Sequence, residues 1–451
     1  MKTEAFNNEI LISAYTSDEE REIISLLSYT DKSKEFQARK MENNRFIPRH
    51  LVEKVKQEAH GNLIKYRDDK IVVPPGFIDE FKIDVDNRVD TGAMISLPWA
   101  IEPPKPRPYQ EDAIELMLNN KRGVINMGTG LGKTLTTIHF LRKFKRKALI
   151  VCPSSSIANG FYEELCKAFG KNRIGYMGGG KKKVGDITVG LAQTIAKNTD
   201  LLQDLGVVFF DETHHISAST FYTIANNLGV VGRMFGLTAT AFRSDGKDIF
   251  IEAALGKVLI KLDAAWGIEN GWLAFPHFII RKVNTIGPSY KGDKLKNYKK
   301  HVLESKEMTE VICKDINWAV GKQQSVLVLV SEIAHGELLA KATGLPLATG
   351  ENKESKNLIE ALNDGKIPGL IATASLVGEG CDTRRVDVLV LANFAGSAGP
   401  VTQNVGRGLR KYPGKEEVIV FDYMPNNPML ARHCNTRIKV FKTLSQEIRI
   451  V

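Results

Sequence analysis

The sequence is poor in cysteine, and it has no long apolar run, no short-period repeat and no low-complexity tract. Its cysteines are odd in number, never form a Cys-x-x-Cys pair and lie scattered along the chain: Cys152, Cys166, Cys313, Cys381 and Cys434. This pattern argues against a disulfide framework or a cysteine-based zinc site, and it favours a reducing setting. No apolar segment approaches the roughly 20 residues that span a bilayer, and no signal-peptide pattern is present. We therefore expect a soluble, intracellular protein.

The composition indicates a folded, basic protein. With 451 residues, the chain has room for about three domains of roughly 150 residues each. Hydrophobic residues make up 43% of the chain and aromatic residues 8%, which excludes wholesale disorder. Lys and Arg exceed Asp and Glu by 62 to 52, a formal net charge of +10. Such a balance favours a polyanionic partner, although soluble proteins also carry it without binding nucleic acid.

Residues 1–100 form a charge-dense region that predicts a small N-terminal domain. The apolar run 10–15 indicates a strand, and Ser17 and Glu20 have the spacing of a capping box before a helix over 21–29. Residues 31–70 carry 11 Lys or Arg against 7 Asp or Glu. This stretch is consistent with a solvated helical face or with a DNA-contacting surface. Prolines crowd a linker from Pro98 to Pro108.

Short β-rich runs then alternate with helical stretches, which predicts two parallel-sheet α/β domains, over 101–270 and 271–451. The predicted elements of the first are strands at 123–126, 147–151, 187–191, 207–210 and 234–237, with helices at 134–144 and 159–169. Those of the second are strands at 325–330, 369–372, 386–391 and 417–421, with helices at 335–341 and 356–362. Residues 178–183, three glycines and three lysines, predict an exposed basic loop.

A glycine-rich turn between a predicted strand and helix is the first candidate site. It comprises Gly128, Thr129, Gly130, Leu131, Gly132, Lys133 and Thr134. Three glycines let successive backbone N–H groups face a phosphate, and the helix adds its positive N-terminal end. Lys133 would reach the β/γ-phosphates and the Thr134 hydroxyl would bind Mg²⁺. Met127 stands where the strict phosphate-loop pattern has glycine, so an ordinary tight turn remains an alternative.

Two adjacent carboxylates, Asp211 and Glu212, end an apolar strand and strengthen the nucleotide interpretation. Neighbouring residues at a strand end point to different sides, so Asp211 can hold a hydrated Mg²⁺ while Glu212 polarises an attacking water. The alternative is that these acids only cap the following helix.

Gln403, Arg407 and Arg410 have spacings of four and three, which would place them on one helix face. Such a face could present the glutamine to the attacking water and the guanidinium groups to the γ-phosphate. A surface arginine pair facing solvent is the alternative.

Together these motifs resemble the superfamily 2 helicases and translocases over about residues 101–430. The resemblance implies an α/β fold with two tandem RecA-like domains and a small N-terminal α+β domain, and ATP bound with Mg²⁺ in the cleft between the RecA-like domains. It also implies further nucleotide contacts from the Q-motif and motif V: Arg107, Tyr109, Gln110, Gly380 and Asp382. Finally, it implies contacts with nucleic acid from motifs Ia, Ib, III and V and from a residue after motif III: Pro153, Gln193, Thr194, Thr240, Thr373 and Arg243.

Within the superfamily, the sequence Leu-Thr-Ala-Thr at 237–240 is similar to the XPB-, RecG- and UvsW-like DNA helicases. The segment 271–276 and the compact size also resemble bacteriophage UvsW-type helicases. This resemblance implies branch migration or unwinding of forked, branched or duplex DNA with little sequence specificity, in a bacterial or host-cell cytoplasm. It implies replication or recombination proteins as partners and no membrane. A duplex DNA translocase without strand separation, an RNA helicase and a non-enzymatic scaffold are the alternatives.

Two further features permit more than one interpretation. His214 and His215 could suggest a metal site, but no third ligand follows at metal spacing, and the motif resemblance explains His214 as a cleft residue. Four aromatic residues near the start of the second α/β domain could stack on bases or could be ordinary packing residues. They are Trp266, Trp272, Tyr290 and Tyr298.

Overall fold

The computed structural model describes residues 2–6, 9–42, 48–77, 92–213, 218–228, 231–239, 248–352, 354–378 and 383–451. The predicted site residues Thr240, Arg243, Gly380 and Asp382 lie outside these ranges, as do His214 and His215. The chain divides into two compact units: Met1–Met127 with Gly132–Lys261, and Gly128–Leu131 with Leu262–Val451. In the described part of the chain, no helix is both long and apolar enough to cross a membrane.

The first unit begins with a small antiparallel sheet of order β1-β2-β6-β5. The strands of the N-terminal region are β1 (Lys2–Phe6), β2 (Glu9–Ser13), β3 (Ser28–Thr30), β4 (His60–Asn62), β5 (Lys65–Arg67) and β6 (Lys70–Val73). Its helices are α1 (Ser17–Leu26), α2 (Lys32–Glu42) and α3 (Arg49–Glu58), and a 3₁₀ turn follows at Pro75–Phe77. Ile10, Ile12, Ile23 and Ile71 form its core, because alternate residues of the strands face the helix.

The predicted start of the first helix was wrong by several residues. The capping box is formed by Thr16 and Glu19: the Glu19 backbone N–H donates to the Thr16 hydroxyl (3.2 Å) and the Thr16 N–H to the Glu19 carboxylate (2.7 Å). Ser17 is therefore the first helical residue and not the cap. Thr16 and Ser17 are both hydroxyl residues, and each is followed three residues later by a glutamate. The sequence pattern alone does not show which of the two caps the helix.

Helices α2 and α3 carry many of the lysines and arginines of residues 31–70, and several are paired. Lys34 pairs with Glu58 (3.0 Å), Arg39 with Glu35 (3.4 Å) and Lys56 with Glu42 (2.6 Å). All these side chains are well exposed, so each pair adds little stability but cancels much of the local charge. This pairing favours the solvated helical face over a DNA-contacting surface for α2 and α3.

The first parallel sheet has the order β10-β9-β11-β8-β12-β13-β7-β14. Its strands are β7 (Arg122–Met127), β8 (Ala148–Cys152), β9 (Ile174–Gly178), β10 (Lys181–Lys183), β11 (Ile187–Leu191), β12 (Val207–Asp211), β13 (Arg233–Thr238) and β14 (Val258–Leu262). The helices around it are α4 (Pro108–Asn119), α5 (Lys133–Phe144), α6 (Ser155–Phe169), α7 (Ala192–Ile195), α8 (Ala218–Asn227) and α9 (Asp248–Leu255), with a 3₁₀ turn at Thr199–Leu201. Strands β8 and β12 are completely buried, as expected for a sheet covered on both faces.

The glycine–lysine stretch at 178–183 is a hairpin rather than the predicted loop. Strand β10 pairs antiparallel with β9, with Lys181 opposite Gly178. Gly179 and Gly180 have φ values of +56° and +82°, the left-handed conformation that a two-residue hairpin turn requires. Lys181, Lys182 and Lys183 are all exposed on this edge strand, where their charges discourage pairing with another sheet.

The second unit contains a parallel sheet of order β17-β18-β16-β19-β20-β15-β21. Its strands are β15 (Phe275–Val283), β16 (Val326–Val330), β17 (Leu347–Ala348), β18 (Gly369–Thr373), β19 (Val388–Ala392), β20 (Glu417–Pro425) and β21 (Ile448–Ile450). The helices are α10 (Ala264–Glu269), α11 (Lys294–Tyr298), α12 (Lys306–Gly321), α13 (Ile333–Thr343), α14 (Ser355–Asn363), α15 (Ala374–Gly378), α16 (Ala398–Gly408) and α17 (Pro428–Leu444), with a π-helical turn at Lys299–Leu303. The predicted strands and helices of both sheets are confirmed to within a few residues.

Candidate active site

The glycine-rich turn lies between β7 and α5, as the sequence predicted. Gly130 and Gly132 have φ values of +91° and +86°, which a residue with a Cβ rarely adopts. A Cβ at Gly132 would lie 2.4 Å from Nε2 of Gln110, so the space beside the turn is filled by that side chain. Lys133 is the first residue of α5, and the backbone N–H groups at this helix start lack helical acceptors. The local geometry is that of an anion-binding turn.

Lys133 and Glu212 form an ion pair across this edge of the first sheet. The Nζ atom of Lys133 lies 2.7 Å from Oε1 of Glu212, and the two side chains are 13% and 14% exposed. Glu212 follows the last residue of β12 and has a φ of +44°, a left-handed conformation that costs energy for a residue other than glycine. Strained backbone of this kind concentrates at functional sites. The structure thus brings together the glycine turn and the carboxylates, which the sequence places far apart.

Asp211 ends β12 and is only 5% exposed. Burial and the neighbouring Glu212 carboxylate raise the pKa of Asp211 to about 7, while the Lys133 ammonium opposes the shift. Among the described residues, its Oδ1 atom has no hydrogen-bond partner although it is buried. Burying a carboxylate oxygen without a hydrogen-bond partner costs free energy of folding. A bound cation or a water of its hydration shell would supply the missing partner.

The Q-motif residues lie at the start of α4, beside the glycine turn. Gln110 is 2% exposed, and its Oε1 accepts a hydrogen bond from the Arg107 backbone N–H (2.9 Å). The Arg107 guanidinium donates to the Tyr109 hydroxyl (3.0 Å). Burial raises the pKa of Tyr109, and this hydrogen bond from Arg107 opposes the shift. These bonds fix the three side chains relative to one another, with Gln110 next to Gly132, and their contact with a nucleotide base stays a prediction.

In the second unit, the prediction that Gln403, Arg407 and Arg410 share one helix face is wrong for Arg410. Gln403 and Arg407 lie on α16, and Arg407 is only 5% exposed. Arg410, however, lies beyond the end of this helix and forms an isolated β-bridge with Leu273. Helix α16 ends at Gly408 with Leu409 as its C-terminal cap, and the bridge to Leu273 holds Arg410 outside the helix. The three residues therefore do not share one helix face.

Residues Gly128–Leu131 belong to the second unit, where they lie against helix α16 and Arg410. A Cβ added at Gly406 would lie 2.7 Å from Cβ of Thr129, so glycine is required for this close approach. A Cβ at Gly130 would lie 3.3 Å from the Cγ atom of Arg410. The Gly128 N–H donates to the Leu262 carbonyl (2.7 Å). The backbone of residues 128–131 and helix α16 are thus in contact.

Sequence reasoning missed Lys415, which anchors the end of α16. Its side chain is buried, at 3% exposure, and its ammonium donates to the Gly408 carbonyl. Burial lowers the pKa of Lys415 to about 8; the Arg410 charge acts in the same direction and Asp387 opposes it. A positive charge at a helix C-terminus complements the helix dipole. No sequence pattern distinguishes this lysine from the many exposed ones nearby.

Of the residues expected to contact nucleic acid, the four that the structure describes lie at or just after the carboxyl ends of parallel strands. Cys152 pairs with Leu191, so Pro153 and Gln193 follow neighbouring strands at one edge of the first sheet. Gln193 is exposed on α7, whereas Pro153 and Thr194 are half-buried. Thr373 ends β18 in the second unit and is 4% exposed. Such edges are where ligands bind in open α/β sheets.

Of the predicted stacking candidates, Tyr298 is a packing residue. It is 8% exposed and its hydroxyl lies 3.2 Å from Nδ1 of His335. Trp266 and Trp272 are half-buried. Tyr290 is 37% exposed and is the most accessible of the four.

The residues present fit ATP and Mg²⁺. The glycine turn leads into the start of α5, where backbone N–H groups lack helical acceptors, and Asp211 offers a buried oxygen. The described part of the chain contains no group of three or more His, Cys, Asp or Glu side chains able to hold a metal. Magnesium is usually held by one or two carboxylates together with nucleotide phosphates and water. Asp211 and Thr134 as its protein ligands stay a prediction.

Comparison with known proteins agrees with this geometry. Residues 103–243 match the family described as the type III restriction enzyme, res subunit. The chain is 26% identical over 361 residues to the putative mitochondrial ATP-dependent helicase irc3 of Schizosaccharomyces pombe, covering 73% of this chain and 59% of that protein. It is 22% identical over 360 residues to the ATP-dependent DNA helicase uvsW of Enterobacteria phage T4, covering 74% and 71%. Both relatives are named helicases, and the chain is similar to each of them over about three quarters of its length.

The chain also shares its fold with solved structures. A fragment of a putative HsdR subunit of a type I restriction enzyme from Vibrio vulnificus YJ016 matches with a TM-score of 0.57 and 19% identity, over 77% of this chain and 68% of that one. The predicted fold class, with RecA-like parallel sheets, is confirmed. The chain spans 59% of the length of the fission-yeast relative.

Proposed function

We propose that this chain is an ATP-driven DNA motor that unwinds or branch-migrates forked and four-way DNA. The observation that carries the proposal is the Lys133–Glu212 ion pair, which joins a phosphate-binding turn to the carboxylates of a neighbouring strand end. A lysine at the start of a helix and an acid pair at a strand end are the parts that phosphoryl transfer to water requires. ATP and Mg²⁺ are the proposed substrate and cofactor.

Each proposed role follows from the chemistry of the side chain. Lys133 binds the β/γ-phosphates, and Glu212, once released from Lys133, orients and polarises the attacking water. Gln403 positions the same water, while Arg407 and Arg410 stabilise the charge that develops on the γ-phosphate. Asp211 and Thr134 would hold Mg²⁺, which would neutralise charge on the phosphate oxygens. Arg107, Tyr109 and Gln110 bind the adenine, and Gly380 and Asp382 of motif V belong to the same proposed site.

DNA as the partner is supported by charge and by relatives. The net charge of +10 favours a polyanion, and one relative is named an ATP-dependent DNA helicase. The proposed strand contacts are Pro153, Gln193, Thr194, Thr240, Arg243 and Thr373. Contacts of this type go mainly to phosphates, so we expect little sequence preference and a steep salt dependence.

The proposed organisation assigns each region a task. Residues 1–100 would form an accessory domain that contributes to substrate choice, 101–270 the ATP-binding domain and 271–451 the second motor domain. Replication or recombination proteins are the proposed partners, and the bacterial or host-cell cytoplasm is the proposed location.

A second candidate is a duplex DNA translocase without strand separation. It is favoured by the match of residues 103–243 to a restriction-enzyme subunit family. An RNA helicase is a more distant alternative, because the parallel-sheet fold and the ATP-site residues would serve it equally well.

The test is a panel of substrates scored for ATPase stimulation and strand separation. It includes a fork, a Holliday junction, tailed duplexes of both polarities, a triplex and an RNA duplex. The proposal predicts ATP-dependent separation of forks and junctions. Triplex displacement without fork unwinding would establish the translocase instead, and stimulation by RNA but not DNA would establish the RNA helicase.

A further inference from the structure

Residues 284–300, which we call the lysine loop, follow β15 and project apolar side chains into solvent. Ile286 and Leu295 are 77% and 75% exposed, and Tyr290 is 37% exposed. Such large exposed apolar residues are uncommon close together on a soluble surface, and where they group they mark interaction sites.

The same loop is strongly basic. It holds one acidic residue, Asp293, against five lysines: Lys291, Lys294, Lys296, Lys299 and Lys300. Asp293 pairs with Lys296 (3.3 Å), and Glu304 lies within 3.9 Å of Lys299 and 3.3 Å of Lys300. Lys291 and Lys294 form no ion pair with any residue that the structure describes. The Lys296 ammonium lies 5.9 Å from the centre of the Tyr290 ring.

A buried amide holds Tyr290 in place. Asn297 is 1% exposed and its side chain bonds both backbone groups of Tyr290: it accepts from the Tyr290 N–H (2.9 Å) and donates to the Tyr290 carbonyl (2.5 Å). Asn427, at 2% exposure, donates in turn to Oδ1 of Asn297 and to the Ser289 hydroxyl, both at 2.9 Å. The backbone of Tyr290 is therefore fixed by two buried side chains.

A second buried group fixes the base of the loop. His301 is 2% exposed; its Nε2 donates to the Pro288 carbonyl (3.1 Å), and its Nδ1 lies 2.6 Å from the Thr285 hydroxyl. Buried polar networks of this kind rigidify a structure when each member is satisfied. An exposed loop that is only a connection needs no such anchoring, whereas a preorganised binding surface gains affinity from it.

We propose that the lysine loop binds a single strand of nucleic acid, with one base stacked on Tyr290 and its neighbouring phosphates held by Lys291, Lys294 and Lys296. An aromatic ring flanked by lysines is the combination that binds single strands without sequence preference. The positive charge of the loop excludes a basic partner. Phosphate binding alone does not need an aromatic ring, whereas a base can stack on it. This inference rests on the proposed function and names one of its contact surfaces.

The test is the affinity for fluorescent oligothymidylate, measured by anisotropy over a range of salt concentrations. Tyr290→Ala is expected to weaken binding about tenfold, and Tyr290→Phe, which keeps the ring, is expected to bind like the unchanged chain. Replacing Lys291 and Lys294 by Gln is expected to lower the slope of log affinity against log salt by about 1.4, or about 0.7 per lost phosphate contact. Lys314→Gln with Lys322→Gln removes two exposed lysines of α12 and its C-terminal end as a matched control.

The outcomes separate the two proposals. Two results together would overturn the lysine-loop inference and leave the proposed function standing. Tyr290→Ala would bind oligothymidylate as tightly as the unchanged chain, and the double lysine variant would show the same salt slope as the unchanged chain. A chain that neither binds nucleic acid nor hydrolyses ATP faster in its presence would overturn both. Thermal unfolding of each variant shows whether it folds, and the Tyr290→Phe comparison separates the contribution of the ring from that of the hydroxyl group.

Discussion

The ammonium of Lys133 lies 2.7 Å from the carboxylate of Glu212, at the edge of the first parallel sheet. In the proposed mechanism, the lysine binds phosphate and the glutamate activates water, so neither can complete its role while they neutralise each other. Triphosphate oxygens would compete with Glu212 for Lys133. Nucleotide binding and release of the water-activating carboxylate would then be one coupled event.

Replacing Lys133 with alanine is expected to weaken ATP binding and abolish turnover, because the phosphates lose their charged partner. The change also leaves Glu212 buried without its ion-pair partner, which destabilises the fold. Binding of a fluorescent nucleotide and steady-state phosphate release measure the two effects.

Lys143→Ala is the matched control for Lys133. It lies on the same helix but pairs with Glu115 at about half exposure, and surface pairs of this kind are worth little. Equal loss of ATP binding in both variants would contradict the assigned role of Lys133.

Glu212→Gln is expected to retain ATP and DNA binding yet lose hydrolysis. The amide cannot polarise the water, and it no longer competes as a charge for Lys133. Rapid-quench measurement of a single turnover tests the chemical step directly. Continued turnover would show that another group acts as the base.

Arg407→Ala is expected to leave ATP affinity largely intact while lowering the hydrolysis rate by about 10³-fold, as with other arginine fingers. The effect is confined to the rate because the charge it stabilises develops only in the transition state. The measurement is kcat and KM for ATP with saturating DNA. Arg432→Ala, an exposed arginine of α17, is the control, and an undiminished kcat for Arg407→Ala would remove Arg407 from the site.

We expect the activity to decline at alkaline pH because Lys415 loses its charge. Its pKa is lowered to about 8, chiefly by burial, so the ammonium that holds the Gly408 carbonyl loses its charge as the pH rises through that value. We expect kcat to fall above about pH 8 because the end of the helix that carries Arg407 loosens. Lys415→Arg keeps its charge, so its pH–rate profile should lack this decline. Superimposable profiles for the two proteins would refute the role.

We expect the second unit to lose stability at acidic pH because of His335. It is fully buried, and burial lowers its pKa to about 4, below the value near 6.5 in an unfolded chain. As the pH falls, the unfolded state therefore binds the proton before the folded state does. The contribution of neutral His335 to the free energy of unfolding is complete above pH 6.5 and is lost as the pH falls through 4. The loss at pH 4 amounts to about 3 kcal/mol. Urea unfolding across this range should show a smaller loss for His335→Leu, and equal losses would contradict the assignment.

Much of the fold could be predicted from residue patterns, because the sheets consist of short apolar runs closed by glycine or polar residues. The run 207–210 and the glycine turn after Met127 give β12 and the β7–α5 turn almost directly. Asp211 and Glu212 could be found for the same reason, since an apolar strand that ends in two acids is unusual.

What could not be predicted depends on distant parts of the chain. The hairpin of Gly179 and Gly180 needs β9 as a partner, and the end of α16 before Arg410 needs the bridge to Leu273. Lys415 and Asn297 look like ordinary polar residues in the sequence. Only their burial, set by packing against other elements, gives them a role.

The central claim is that nucleotide chemistry at Lys133 and Glu212 is coupled to DNA. The most direct measurement is the steady-state rate of ATP hydrolysis with and without forked DNA, for the unchanged chain and for Glu212→Gln. We predict strong stimulation by the fork in the unchanged chain and hydrolysis at background level in the variant under both conditions. A rate that forked DNA leaves unaltered, or a variant that hydrolyses ATP as fast as the unchanged chain, would contradict the account.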